Sequence, residues 1–188
     1  MKVLLGVSNK HIHLNEEDYK ILFGNTTMEK VKDLVQPGQY ASNLLVDVKT
    51  EKNTIKKLRV LGPFRSYTQV EISKTDSYVL GINPPVRESG DLEGASTVTI
   101  IGPEGEITKE CAIIANRHIH VNKEIREQYN LVGIEKVSIK VEGEKPSIIE
   151  NVYLKDTEEA AFELHLDTDD ANACLLKTGD MLEIIVND

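Results

Sequence analysis

The chain has 188 residues, 40% of them apolar and 28% charged, with a formal charge of −9, which is enough for one compact domain or two small ones with a real core. An acidic balance, with a pI near 5.1, argues against a nucleic-acid binder, which is usually basic. No apolar run approaches the roughly 20 residues that span a bilayer, so no membrane span is expected.

The opening Met1-Lys2-Val3-Leu4-Leu5-Gly6-Val7 has too short an apolar stretch for a secretory signal and no small-residue cleavage site. Cys111 and Cys174 stand far apart, outside any CxxC spacing, and read as free thiols of a reducing compartment. A cytoplasmic location is expected.

The first strand leads through Gly6-Val7-Ser8-Asn9-Lys10 into His11-Ile12-His13. Asn15 then caps a short helix whose first turn carries Glu16, Glu17 and Asp18, ending near Gly24. Residues 44–48 alternate, turn at Glu51-Lys52-Asn53 and return over 55–61 as a hairpin. Lys49, Lys52, Lys56, Lys57 and Arg59 make this the densest basic stretch of an acidic chain. It suits a solvated hairpin or a polyphosphorylated ligand.

Gly62-Pro63-Phe64-Arg65 precedes the strand Thr68-Gln69-Val70-Glu71-Ile72-Ser73, in which Val70 and Ile72 face inward and Gln69, Glu71 and Ser73 share the polar face. Pro84-Pro85-Val86-Arg87-Glu88-Ser89-Gly90-Asp91 divides the chain as a linker or a site loop. A second hairpin joins 97–101 to 107–114 through Gly102-Pro103-Glu104-Gly105-Glu106.

The second hairpin runs into Ala115-Asn116-Arg117-His118-Ile119-His120-Val121-Asn122, a repeat of the N-terminal Asn-basic-His-Ile-His motif, again followed by a helix opening at Asn122. A third hairpin pairs 137–141 with 148–154 across Glu142-Gly143-Glu144. Phe162-Glu163-Leu164-His165-Leu166 is a strand with His165 on its polar face, and Asp167-Thr168-Asp169-Asp170 opens a third helix. Three hairpins and few short helices define a mostly β chain with short helices (α+β), of the barrel type.

All five histidines fall in this pattern. Residues i and i+2 of a strand share a face, so His11 with His13, and His118 with His120, can each grip one metal. One HxH pair is an ordinary accident, whereas two in matching contexts are not. Each pair lacks a third ligand, for which His165 is a candidate. Glu71 is a candidate carboxylate, although by itself a solvated charge. Imidazole with some carboxylate suits zinc, and a catalytic zinc keeps three protein ligands and an open position. Arg65 and Arg87, the latter close to Ser89, offer guanidinium forks that match phosphate oxygens.

The sequence resembles the PduL-type phosphate propanoyltransferases, zinc-dependent phosphotransacylases, over essentially its whole length. The resemblance is carried by Gly6-Val-Ser-Asn-Lys-His-Ile-His13, Val60-Leu-Gly-Pro-Phe-Arg65, Thr68-Gln-Val-Glu-Ile-Ser73, Pro85-Val-Arg-Glu-Ser-Gly-Asp91, Ala115-Asn-Arg-His-Ile-His120 and His165-Leu-Asp-Thr-Asp-Asp-Ala-Asn172. It implies two zinc ions per chain, one on His11, His13 and Glu71 and the other on His118, His120 and His165. Arg65 matches the phosphate-binding, catalytic arginine, with Ser8 and Ser89 as site hydroxyls. Coenzyme A contacts would fall at Val7, Ser8, Asn9, Lys52, Arg59 and Asn172.

The implied fold is two β-barrels capped by short helices. One would comprise residues 1–14 and about 93–188, with the N-terminal strand joining the C-terminal half. The other would comprise about 15–92. The implied reaction interconverts short-chain acyl-CoA (propanoyl or acetyl) plus phosphate with acyl phosphate plus coenzyme A. A zinc hydrolase and a purely structural metal module are the rival readings. Members often carry an N-terminal extension that directs them into a bacterial microcompartment. This chain starts almost at its first strand, which points to the open cytosol without excluding encapsulation. Acyl-chain preference stays open, as does a homodimer or higher homo-oligomer.

Overall fold

The computed structural model describes residues 1–186. The strands are β1 (Lys2–Ser8), β2 (His11–His13), β3 (Lys30–Asp33), β4 (Tyr40–Lys49), β5 (Thr54–Gly62), β6 (Gln69–Glu71), β7 (Val86–Arg87), β8 (Ser96–Ile101), β9 (Glu106–Ala115), β10 (His118–Val121), β11 (Lys136–Val141), β12 (Ser147–Asp156), β13 (Glu163–Asp167) and β14 (Met181–Ile185). The helices are α1 (Glu16–Phe23), α2 (Lys74–Leu80), α3 (Lys123–Gln128) and α4 (Thr168–Ala173). None is long and apolar enough to cross a membrane.

The three expected hairpins form as β4–β5, β8–β9 and β11–β12, each antiparallel. They close into two barrels. In one, β1, β13, β10, β12, β11 and β14 form a ring. In the other, β4, β5, β2, β6 and β9 follow one another, and β8 closes the ring by pairing with both β4 and β9. Closure leaves no free sheet edge within either ring.

The two rings share one pairing pattern. β10 runs parallel to β12 and antiparallel to β13, which runs parallel to β1. β2 likewise runs parallel to β5 and antiparallel to β6, which runs parallel to β9. The strand that leads into each HxH segment, β1 or β9, is thus built into the barrel that does not hold that segment. This extends the Asn-basic-His-Ile-His repeat to a repeat of topology.

The chain divides into two compact units. The first holds Met1–Ser8, Val35–Pro37 and Asn116 onward, and the second Asn9–Leu34 and Gly38–Ala115. This differs from the expected division. Residues 9–14 and 93–115 belong to the second unit, because β2 pairs with β5 and β6 while β8 and β9 complete its ring. The stretch 84–91 is therefore not a linker: its β7 pairs with β9 inside the second unit.

Each unit has its own core. Ile12, Leu22, Val60, Val70 and Ile100 are among the buried residues of the second, and Leu5, Ile119, Val137, Ile139 and Leu164 among those of the first. Caps start the helices where the chain leaves a strand. The side chains of Asn15 and Asn122 accept from the amides of Asp18 and Ile125, satisfying backbone donors of the first turn. Helix α2 was not expected from sequence, yet its signal is present: Ser73 and Asp76 form a capping box, and Gly81 ends the helix at φ 70°.

Candidate metal centres and anion site

In the second unit, β2 lies between β5 and β6. The register sets His11 opposite Glu71 and His13 opposite Gln69. Ile12 points the other way and is fully buried. His11 Nδ1 lies 2.8 Å from the Asn9 carbonyl, so that nitrogen carries the proton and Nε2 is left as a ligand atom. That Nε2 lies 3.4 Å from a Glu71 carboxylate oxygen, and His13 Nε2 lies 4.0 Å from the other.

The first unit repeats this construction. β10 lies between β12 and β13, and His118 stands opposite His165. His118 Nδ1 lies 2.9 Å from the Asn116 carbonyl, two residues back, as in the other unit. The three rings meet edge to face, with centroids 4.8 to 5.0 Å apart. The ligand atoms within each set, His11/His13/Glu71 and His118/His120/His165, all lie within 4.8 Å of one another. Four of the six residues are buried histidines. Three imidazoles, or two with a carboxylate, converging at that spacing suit a tetrahedral zinc-type ion with one open position.

Two residues that sequence reasoning passed over support the third ligands. Gln69, fully buried, donates from Nε2 to Glu71 at 2.7 Å and to Ser89 Oγ at 2.8 Å, and its Oε1 accepts from the Gly90 amide. Its place on the nominal polar face does not expose it, because that face looks onto the 88–91 loop. Glu163 occupies the same position on β13, two residues before His165, and its Oε2 lies 2.8 Å from His165 Nε2. Burial pushes the Glu163 carboxyl up, but the hydrogen bond and charge of His165, with Gln36 and His118, outweigh it and hold the group below the usual carboxylate range. The sequence signal was available: a polar residue at i−2 shares the strand face of each third ligand.

Arg65 is held close to the first set through its backbone. Its amide donates to the carbonyl of Leu14, the residue after His13. Its Nε is buried without a hydrogen-bond partner among the described residues, the condition of a guanidinium built to receive an oxyanion. In the same unit, Ser89 is tied to Glu71 through Gln69, and Arg59 stands level with His11 on β5, donating to the Ser42 carbonyl. Asn9 supplies the carbonyl that orients His11.

In the first unit, Val7 and Ser8 pair with Leu166 and Asp167, just beyond His165. Asn172 lies on the exposed side of α4, the helix that Asp167 caps. Lys52 belongs to the second unit. It lies in the β4–β5 turn, seven residues along the chain from Arg59, or roughly 20 Å at ~3.3 Å per strand residue, and its ammonium donates to the Tyr78 carbonyl. Arg87, the other candidate fork, donates to the carbonyls of Glu93 and Val86 and pairs with Asp91, which ties it to its own loop.

Neither cysteine has the setting of a nucleophile. Burial pushes the Cys111 thiol up to about 12, so it carries no thiolate at neutral pH. Cys174 packs against the core of the first unit.

Twin six-stranded barrels, each presenting an HxH strand against a third donor, define a class of protein with two matched metal-competent centres. A family model for phosphate propanoyltransferase matches residues 4–177. The chain is 47% identical over 186 residues to a phosphate propanoyltransferase of Thermotoga maritima, covering 97% of this chain and 89% of that protein. It is 46% identical to one of Priestia megaterium, covering 95% and 83%, and 40% identical to one of Rhodopseudomonas palustris, covering 97% and 82%. The chain belongs to the phosphate propanoyltransferase family, a family of acyltransferases.

Proposed function

We propose that the protein interconverts a short-chain acyl-CoA, propanoyl-CoA or acetyl-CoA, and phosphate with acyl phosphate and coenzyme A, using two zinc ions. One ion would be held by His11, His13 and Glu71, and the other by His118, His120 and His165. The observation that carries the reading is Arg65, fastened to the residue that follows a metal-competent HxH strand, with a buried Nε left for an anion. Zinc in these centres would supply a Lewis acid for the thioester carbonyl and a partner for a thiolate.

The chain's own residues account for the phosphate side. Arg65 binds phosphate in an orientation fit for attack and offsets its negative charge. A phosphate oxygen forms the new bond to the acyl carbon, the carbon–sulfur bond breaks, and coenzyme A leaves as the thiolate. Gln69 holds Glu71 and Ser89 in fixed relation, so the carboxylate and the candidate phosphate-binding hydroxyl share one support. Ser8 would serve as a second site hydroxyl, and Val7, Ser8, Asn9, Lys52, Arg59 and Asn172 would contact coenzyme A. The lack of a thiolate at Cys111 supports direct transfer without an acyl-enzyme.

The test is release of coenzyme A from acetyl-, propanoyl- and butanoyl-CoA by zinc-replete protein, with and without phosphate. Phosphate-dependent release with acyl phosphate as product is expected. Equal release without phosphate would mean a hydrolase and end this reading.

A further inference from the structure

The two centres differ in where they carry negative charge. Three imidazole donors bring no negative charge to the first unit's centre, whereas the Glu71 carboxylate brings one to the second. At the position two residues before the third ligand the pattern is reversed: Glu163 stands in the first unit and the neutral Gln69 in the second.

Glu163 is built into its place. It is 4% exposed, and Gln36 Nε2, itself on a 4% exposed side chain, donates to Glu163 Oε2 at 3.1 Å and to the Ala161 carbonyl at 3.0 Å. The Gln36 carbonyl accepts from the Ala161 amide. On the neighbouring strand Gly6 lies level with His165, and a Cβ at residue 6 would come within 2.6 Å of Glu163 Oε1. The level position in the other barrel, opposite Glu71, holds Ile113. Glycine thus occurs in the barrel whose buried carboxylate lies against the strand. Among the described residues Glu163 is not one of the converging donors, so its carboxylate acts through His165.

Resting on the two-metal reading above, we infer that Glu163 is a positioning residue: it accepts a hydrogen bond from His165 Nε2–H, turns Nδ1 of that ring to the metal, and supplies from behind the ligand the charge that Glu71 supplies directly in the other centre. His165 then differs from His11 and His118, whose Nδ1 atoms are the ones tied, to backbone carbonyls. A carboxylate behind a ligating imidazole fixes its tautomer and raises its basicity. Gly6 and Gln36 provide the space and the second hydrogen bond that hold the carboxylate there.

The full chain carrying His13→Ala isolates the first unit's centre. In that background, zinc affinity is measured by chelator competition with and without Glu163→Gln, which keeps the shape and removes the charge, and with Gly6→Ala, which displaces the carboxylate without touching it chemically. Each is expected to weaken binding about 10- to 100-fold, the usual effect of removing an outer-shell partner. Nitrogen-15 NMR of histidine-labelled, zinc-loaded wild-type protein should show His165 bound through Nδ1 with its proton on Nε2, a readout independent of how the variants fold. His165 bound through Nε2, or affinity unchanged by both substitutions while metal still binds, overturns this inference alone. A chain that takes up no metal in this background overturns it together with the two-metal reading.

Discussion

His11 lies directly opposite Glu71 on the adjacent antiparallel strand, with Nε2 3.4 Å from the carboxylate. The equivalent pair in the other barrel is His118 and His165. Because the two sets of donors sit in different units, their ions should be lost one at a time. Protein expressed with zinc should hold two ions per chain. His118→Ala or His165→Ala should lose one, and His11→Ala, His13→Ala or the nearly isosteric Glu71→Gln the other. Metal analysis of the unmodified chain that finds one ion or none would end the two-centre reading.

Arg65→Lys keeps the charge and removes the planar fork. The phosphate Michaelis constant should rise, or turnover fall, at least about tenfold, the scale of one charged hydrogen bond of ~1.5–3 kcal/mol. Zinc content should stay at the wild-type value. Unchanged phosphate kinetics would remove Arg65 from the site.

Gln69→Leu keeps the volume of a fully buried side chain but deletes two donors and an acceptor. Glu71, Ser89 and the Gly90 amide all lose a partner, so stability should fall by about 1–3 kcal/mol, the cost of stranding a buried polar group. The 88–91 loop should become the first site of limited proteolysis. A denaturation midpoint and cleavage pattern identical to wild type would show that the network carries no load.

Cys111 sits on β9 with its thiol raised to about 12. Burial blocks access as well as ionisation, so iodoacetamide near pH 8 should leave Cys111 unmodified in the native chain and label it once denaturant unfolds the protein. Peptide mass spectrometry reads the difference. Full labelling of native Cys111 would contradict the closed β8–β9–β6 packing that covers it.

Much of the site was legible because strand geometry is local. The i, i+2 rule placed His11 with His13 and His118 with His120 before any pairing was known. Alternation broken by Glu51-Lys52-Asn53 and by Gly102-Pro103-Glu104-Gly105 located two of the hairpins. The boundaries near 14 and 93 were misplaced for a non-local reason: β9 belongs with β6 and β8, and its partner Glu71 lies 42 positions before Ile113. Helix α2 escaped although its capping box is local, because the polar face of the preceding strand was read as continuing through Ser73.

The sequence by itself determined which side chains share a face, where Asn15 and Asn122 start helices, and that the His-Ile-His motif occurs twice. These depend on backbone period and on hydrogen bonds spanning three or four residues. Only the tertiary structure decided that Glu71 and His165 lie level with the HxH strands, and that β1 and β9 each complete the barrel that does not hold the histidines they lead into. It also decided that the space left by Gly6 admits Glu163. Those outcomes come from closing each sheet on itself. Ring closure sets register between strands that lie from tens to more than a hundred residues apart, and no nearby residue encodes that register.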